Sequence, residues 1–98
     1  MEIGLLVSIE AKPEFADQVE LALRGARDLA ERERETVAWF AFRQSPTVFG
    51  VFDTFNDEHG REQHLQGQIA AALGQIAQTM LASPPVIREI DLLGVKVP

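Results

Sequence analysis

The chain contains no cysteine, so disulfides, thiolate metal sites and thiol chemistry are excluded from the start. It also lacks tyrosine, and its nine Lys and Arg are outnumbered by fifteen Asp and Glu, giving a net charge of −6. No cluster of basic residues is present that would neutralise a row of phosphates. Nucleic acid and anionic membrane surfaces are therefore poor partners. No stretch approaches the roughly twenty apolar residues of a membrane span. The opening "MEIGLLVSIEAKP" has neither a basic leader nor a small-residue cleavage site, so a soluble cytoplasmic protein is the expectation. Linkers, low-complexity tracts and internal repeats are also missing, and residues 1–98 are read as a single domain.

What the chain does have is clear punctuation. "EIGLLVSIEA" (2–11), rich in Ile, Leu and Val, predicts a strand that ends at Lys12-Pro13. Pro13 suits a first helical turn, and Phe15, Val19, Ala22, Leu23, Ala26, Leu29 and Ala30 continue at helical spacing, giving a helix over 13–34. The charge run "ERERE" (31–35) reads as its solvated last turn. "TVAWFAFRQ" (36–44) and "TVFGVFDTF" (47–55), parted by Ser45-Pro46, predict a β-hairpin. Asn56-Asp57 offers an N-cap for a short helix to Gln66, and Gly67 interrupts. A further helix carries Ile69, Leu73, Ile76, Met80 and Leu81 until Ser83-Pro84-Pro85 stops it, and "VIREIDLLGVKV" (86–97) predicts the last strand. The fold class is α+β: a ferredoxin-like β-α-β-β-α-β antiparallel sheet with helices on one face.

In the hairpin, Val37 and Trp39 point one way and Phe40 and Phe42 the other; Phe49, Val51 and Phe55 oppose Val48 and Phe52. Both sheet faces therefore need cover, and helices supply it to only one. A homodimer packed through the other sheet face is expected.

The two histidines lie in "FDTFNDEHGREQHLQG" (52–67), five positions apart. That is roughly 140° around a helix, so they diverge, and no metal-ligand spacing accompanies them. No metal site is expected. His59 has an almost wholly polar neighbourhood and reads as a surface residue. His64, beside Leu65 and just before the apolar stripe, can turn inward, where burial would shift its pKa. It reads equally well as a half-buried structural histidine or as a functional one. Trp39 and the phenylalanines form either a wall for an aromatic ligand or plain core. No hydrolase triad or phosphate loop is present, since GxSxG, GxGxxG and GxxxxGK[ST] are all missing.

The run "FGVFDTFNDEHGREQHLQG" (49–67), with "AKP" (11–13) and the element order, resembles the antibiotic biosynthesis monooxygenase family of dimeric α/β barrels. In that family an acid, one residue and an aromatic end the third strand, an acid-rich helix start follows, and a His-Leu pair comes nine residues after the aromatic. Asp53, Phe55, Asp57 and His64-Leu65 occupy those positions. The resemblance implies a homodimer with a pocket between helices and sheet, and a quinol-type, cofactor-independent monooxygenase acting on a small aromatic molecule. His64 would then be the catalytic base or substrate orienter, with Trp39, Asp53, Phe55, Leu65 and Ile76 binding substrate. Such chemistry suits an apolar pocket, because a phenolate or hydroquinone anion can itself give an electron to oxygen. A non-catalytic small-molecule-binding or sensing homodimer is the alternative on the same fold. The haem-degrading branch of these folds is disfavoured, since the only Asn, Asn56, lies outside the first strand.

Overall fold

A computed structural model describes residues 1–98. The order is β1 (Ile3–Glu10), a 3₁₀ turn (Pro13–Phe15), α1 (Ala16–Glu31), β2 (Thr36–Arg43), β3 (Val48–Phe55), α2 (Glu58–Leu65), α3 (Gln68–Ala77) and β4 (Val86–Asp91). The four strands form one antiparallel sheet in the order β2-β3-β1-β4, which is the predicted ferredoxin-like arrangement. No helix is long and apolar enough to cross a membrane.

Strand alternation divides the sheet into two faces. Leu5, Val7 and Ile9 of β1 and Phe49, Val51 and Phe55 of β3 are buried beneath the helices. Val19 and Leu23 of α1 and Leu81 close over them, with Trp39, Leu73, Ala77 and Met80 packed at the margin. The opposite face carries no helix. There Leu6, Phe40, Phe42 and Val86 remain exposed at 39%, 57%, 40% and 45%.

Helix α2 has the weakest sequence signal and the largest role in the site. Asp57 caps it as predicted, its side chain accepting a hydrogen bond from the Gly60 N–H at 3.0 Å. Its buried residues are Gly60, Arg61 and His64, which share one face at helical spacing. A polar helix thus turns a polar face inward, and it does so because partners wait there. The Arg61 guanidinium reaches the Gly4 carbonyl at 3.3 Å and pairs with Glu58 at 2.5 Å and Glu89 at 3.2 Å.

The last strand is shorter than predicted. The Leu92 N–H still donates to the Glu2 carbonyl, and β1 then offers nothing further to pair with. Leu93, Val95 and Val97 are exposed beyond that point. The helix expected over 13–34 likewise ends early, at Glu31, and the chain turns at 32–35.

Gly4 sets the spacing in the centre of the sheet. A Cβ at this position would stand 2.6 Å from the Asp53 carbonyl oxygen and 3.3 Å from Ile90, and neither strand can move without breaking its ladder. Gly4→Ala should therefore lower the unfolding free energy by about 1–3 kcal/mol, read by urea denaturation.

Candidate functional site

The hairpin places Asp53 on the helix-facing side of β3, opposite Trp39 on β2 and Leu5 on β1. Asp53 is fully buried. A carboxylate in such surroundings requires a cation or donors, because burial without them is costly. His64 of α2 supplies the partner: its Nε2 lies 2.8 Å from Asp53 Oδ2. This is a close charge contact whose angle is off the line of a hydrogen bond, so by geometry both Asp53 carboxylate oxygens lack a donor while the attraction at 2.8 Å stays.

The other ring nitrogen meets a residue that sequence reasoning left in solvent. His64 Nδ1 lies 2.6 Å from Glu33 Oε1. The same oxygen accepts a hydrogen bond from the Thr36 hydroxyl at 2.7 Å. Glu33 belongs to "ERERE" and is only partly exposed, because the chain leaves α1 at Glu31 and turns back towards β2. Gly67 helps this approach, since a Cβ there would stand 3.1 Å from Glu33 Oε2. Below the imidazole lies Phe55, ring centroids 5.3 Å apart and planes tilted by 45°.

His64 is thus held between two carboxylates on an aromatic floor. Burial is the largest single influence and pushes its pKa down. Asp53 and then Glu33 push the other way, and together they raise it above the ordinary 6.5. The surroundings favour the charged form of the imidazole, with Nδ1 bonded to Glu33 and Nε2 in close charge contact with Asp53. No set of three or more His, Asp or Glu side chains is arranged to hold a metal ion.

Three clefts follow one another, from the gap between the turn after α1 and helix α2 to the seam between α1 and the edge strand β2. One, of about 530 Å³, is polar: His64, Glu33, Thr36, Gln63 and His59 line it, and Leu29 is its one apolar wall. A small one, of about 170 Å³, shares Glu33 and Thr36 with it and continues to Trp39 and Arg27. The third, of about 430 Å³, shares Trp39 and Arg27 and is walled by Trp39, Phe49, Leu23 and arginines. The seam therefore has an acid-imidazole end and an aromatic end.

Of the residues singled out in the sequence, the structure brings together Asp53, Phe55 and His64. Trp39 stands beside Asp53 in the sheet and opens onto the aromatic end of the seam. Its indole N–H is buried without a protein acceptor. Leu65 and Ile76 are half-buried and line none of the three clefts. His59 is exposed, as expected. Sequence reasoning missed Glu33, Thr36 and Arg61. Only the Glu33-Thr36 spacing, an acid three residues before a hydroxyl at a helix exit, hinted at one of them.

No protein-family model and no curated protein matches the sequence. Solved structures do. A protein of unknown function from Nitrosomonas europaea is 48% identical over 99% of this chain and 94% of its own, with a TM-score of 0.96. An antibiotic biosynthesis monooxygenase superposes at a TM-score of 0.80 with 16% identity, over 94% of this chain and 99% of its own. A Mycobacterium tuberculosis protein superposes at 0.84 with 9% identity, over 99% of this chain and all of its own. The last two likenesses concern the fold.

Proposed function

We propose, from the premise that this chain belongs to one family with the Nitrosomonas europaea protein and has the antibiotic biosynthesis monooxygenase fold, that it is a cofactor-independent monooxygenase of small quinol-type aromatics. One observation carries the reading: an imidazole held between Asp53 and Glu33 at the polar end of a seam whose other end is aromatic.

The chemistry needs a proton moved and little else. A reduced aromatic with an activated ring CH₂ loses a proton, and the resulting anion gives one electron to molecular oxygen. Radical and superoxide then combine into a peroxide anion. Protonation of that anion and loss of water leave a C=O, with one oxygen atom in the product and the other in water. His64 in its neutral form takes the first proton, and as imidazolium it returns one to the peroxide. Two flanking carboxylates make the neutral imidazole a stronger base than free histidine, which suits the first step. Asp53 and Glu33 hold the ring in place, and Trp39 bounds the substrate's aromatic body.

The test is oxygen uptake by protein freed of metal and flavin, against a panel of hydroquinones and anthrone-like aromatics. Uptake that His64→Gln removes supports the reading. Uptake by none of the panel favours the second reading, a binding or sensing module, which the occupation of both His64 nitrogens also favours.

In the same reading the helix-free face of the sheet is the interface of a homodimer. Leu6, Phe40, Phe42 and Val86 give it an apolar centre, and burying such a patch is the ordinary reason for one to exist. Light scattering should give twice the chain mass for the wild type and a single chain mass for Phe40→Glu. A wild-type monomer would sink this part of the proposal.

A further inference from the structure

The aromatic end of the seam carries a charge pattern that a neutral quinol does not use. Two of the seven aromatic residues, Trp39 and Phe49, turn their rings to this helix-side cleft of about 430 Å³, while the rings of Phe40 and Phe42 lie on the opposite sheet face. Three of the nine basic residues, Arg24, Arg27 and Arg43, line it against a single carboxylate, Glu20. In a chain of net charge −6, this is a local excess of positive charge beside the Trp39 indole.

The three guanidinium groups are committed to different degrees. Arg43 is fixed: it bonds to Glu20 at 2.9 Å and to the Pro46 carbonyl at 2.6 Å, lies 3.7 Å from Asp17, and stacks 4.9 Å above the Phe49 ring. The hydrogen bond from Arg43 holds Glu20 below the usual carboxylate range; burial opposes, and Arg24 assists. Glu20 is therefore satisfied as an anion and does not neutralise the rest of the rim. Arg24 bonds to Glu20 only through Nε, at 3.4 Å, which leaves both terminal nitrogens without a protein acceptor. Arg27 makes only exposed pairs, with Asp28 at 3.8 Å and Glu31 at 3.3 Å, and such pairs exchange readily for a better acceptor. A planar fork of donors beside aromatic walls is the arrangement that recognises a carboxylate carried on a flat ring system.

The geometry points to a planar aromatic carboxylate as the ligand of this cleft, its rings against the half-buried Trp39 and its anionic group on Arg24 and Arg27, with Phe49 closed off beneath Arg43. The inference deepens the proposed function by naming the substrate class, and it rests on the reading of the seam as a ligand groove. The reacting end of the molecule would lie towards His64 and the carboxylate away from it, so that carboxylate stands clear of Asp53 and Glu33.

Calorimetric titration with 2-naphthoate and with uncharged 2-naphthalenemethanol tests it. Trp39 is the sole tryptophan, so its one indole N–H resonance locates the binding. The expected result is a Kd about tenfold lower for the carboxylate, a shifted Trp39 resonance, and loss of the preference in the Arg24→Gln/Arg27→Gln double variant. Both arginines are solvent-facing on α1, so the variant should keep the wild-type melting temperature and unliganded Trp39 resonance. Equal affinities, a preference that survives the double substitution, an unmoved Trp39 resonance or no binding would each overturn the inference. The two readings fail separately. Carboxylate-selective binding without oxygen uptake from any quinol leaves the cleft assignment standing and removes the monooxygenase. Oxygen uptake from quinols with no KM preference for carboxylated over uncharged ones, in the wild type and in the double variant alike, does the reverse.

Discussion

His64→Leu should lower the unfolding free energy by about 3–5 kcal/mol, the range found when one member of a buried ion pair is removed and the other is left behind. Asp53 is fully buried and has no donor in hydrogen-bond geometry, so His64 is what compensates its charge. Leucine fills much of the space and returns none of the charge. The sharper result is the double variant: Asp53→Asn/His64→Leu should recover a good part of the loss, because the uncompensated anion is gone. Additive losses in urea denaturation would mean that the pair is not coupled. The effect also has a direction in pH. His64 has its pKa raised in the folded state, so its contribution is fully present below its unfolded value of 6.5 and is lost as pH rises through the raised folded value. The gap between wild type and His64→Leu should therefore narrow over that window.

The same pair explains where sequence reasoning was sufficient and where it stopped. Alternation along "TVAWFAFRQ" and "TVFGVFDTF" revealed two apolar faces, and the structure has Phe49, Val51 and Phe55 buried under helices with Phe40 and Phe42 exposed on the far side. Period-two patterns report strand faces directly, so this much was legible. Helix α2 was legible through its cap and through His64, which beside Leu65 could turn inward. Its inward face is Gly60, Arg61 and His64, and no hydrophobic period can announce a buried face made of polar groups. Glu33 was hidden for a related reason. A charge run reads as solvated unless something nearby needs a charge, and what needs it, His64, lies 31 residues later. The over-long final strand failed differently: "LLGVKV" has strand composition, yet a strand exists only where a neighbour pairs with it, and β1 has run out at Glu2. Local composition proposes elements; it does not supply their partners.

The largest functional effect should be a fall of about 10²–10⁴ in the rate of oxygen uptake in His64→Gln, the contribution typical of a positioned acid-base group. Glutamine keeps polarity and approximate length and cannot carry the proton, so a loss of this size with retained aromatic binding separates proton transfer from substrate positioning. The pH profile gives the second half of the argument. If neutral His64 starts the reaction, the rate must rise with pH, and the midpoint of that limb must lie above 6.5, because Asp53 and Glu33 favour the charged imidazole. Glu33→Gln removes one of those anions while leaving an amide to meet Nδ1. It should move the limb to lower pH, with a smaller loss at the plateau than His64→Gln. A merely structural Glu33 would change stability and leave the midpoint where it was. A limb at or below 6.5 in the wild type, or one that Glu33→Gln does not move, would show that the proton passes through some other group. The seam would then be a binding groove with a structural ion cluster at one end.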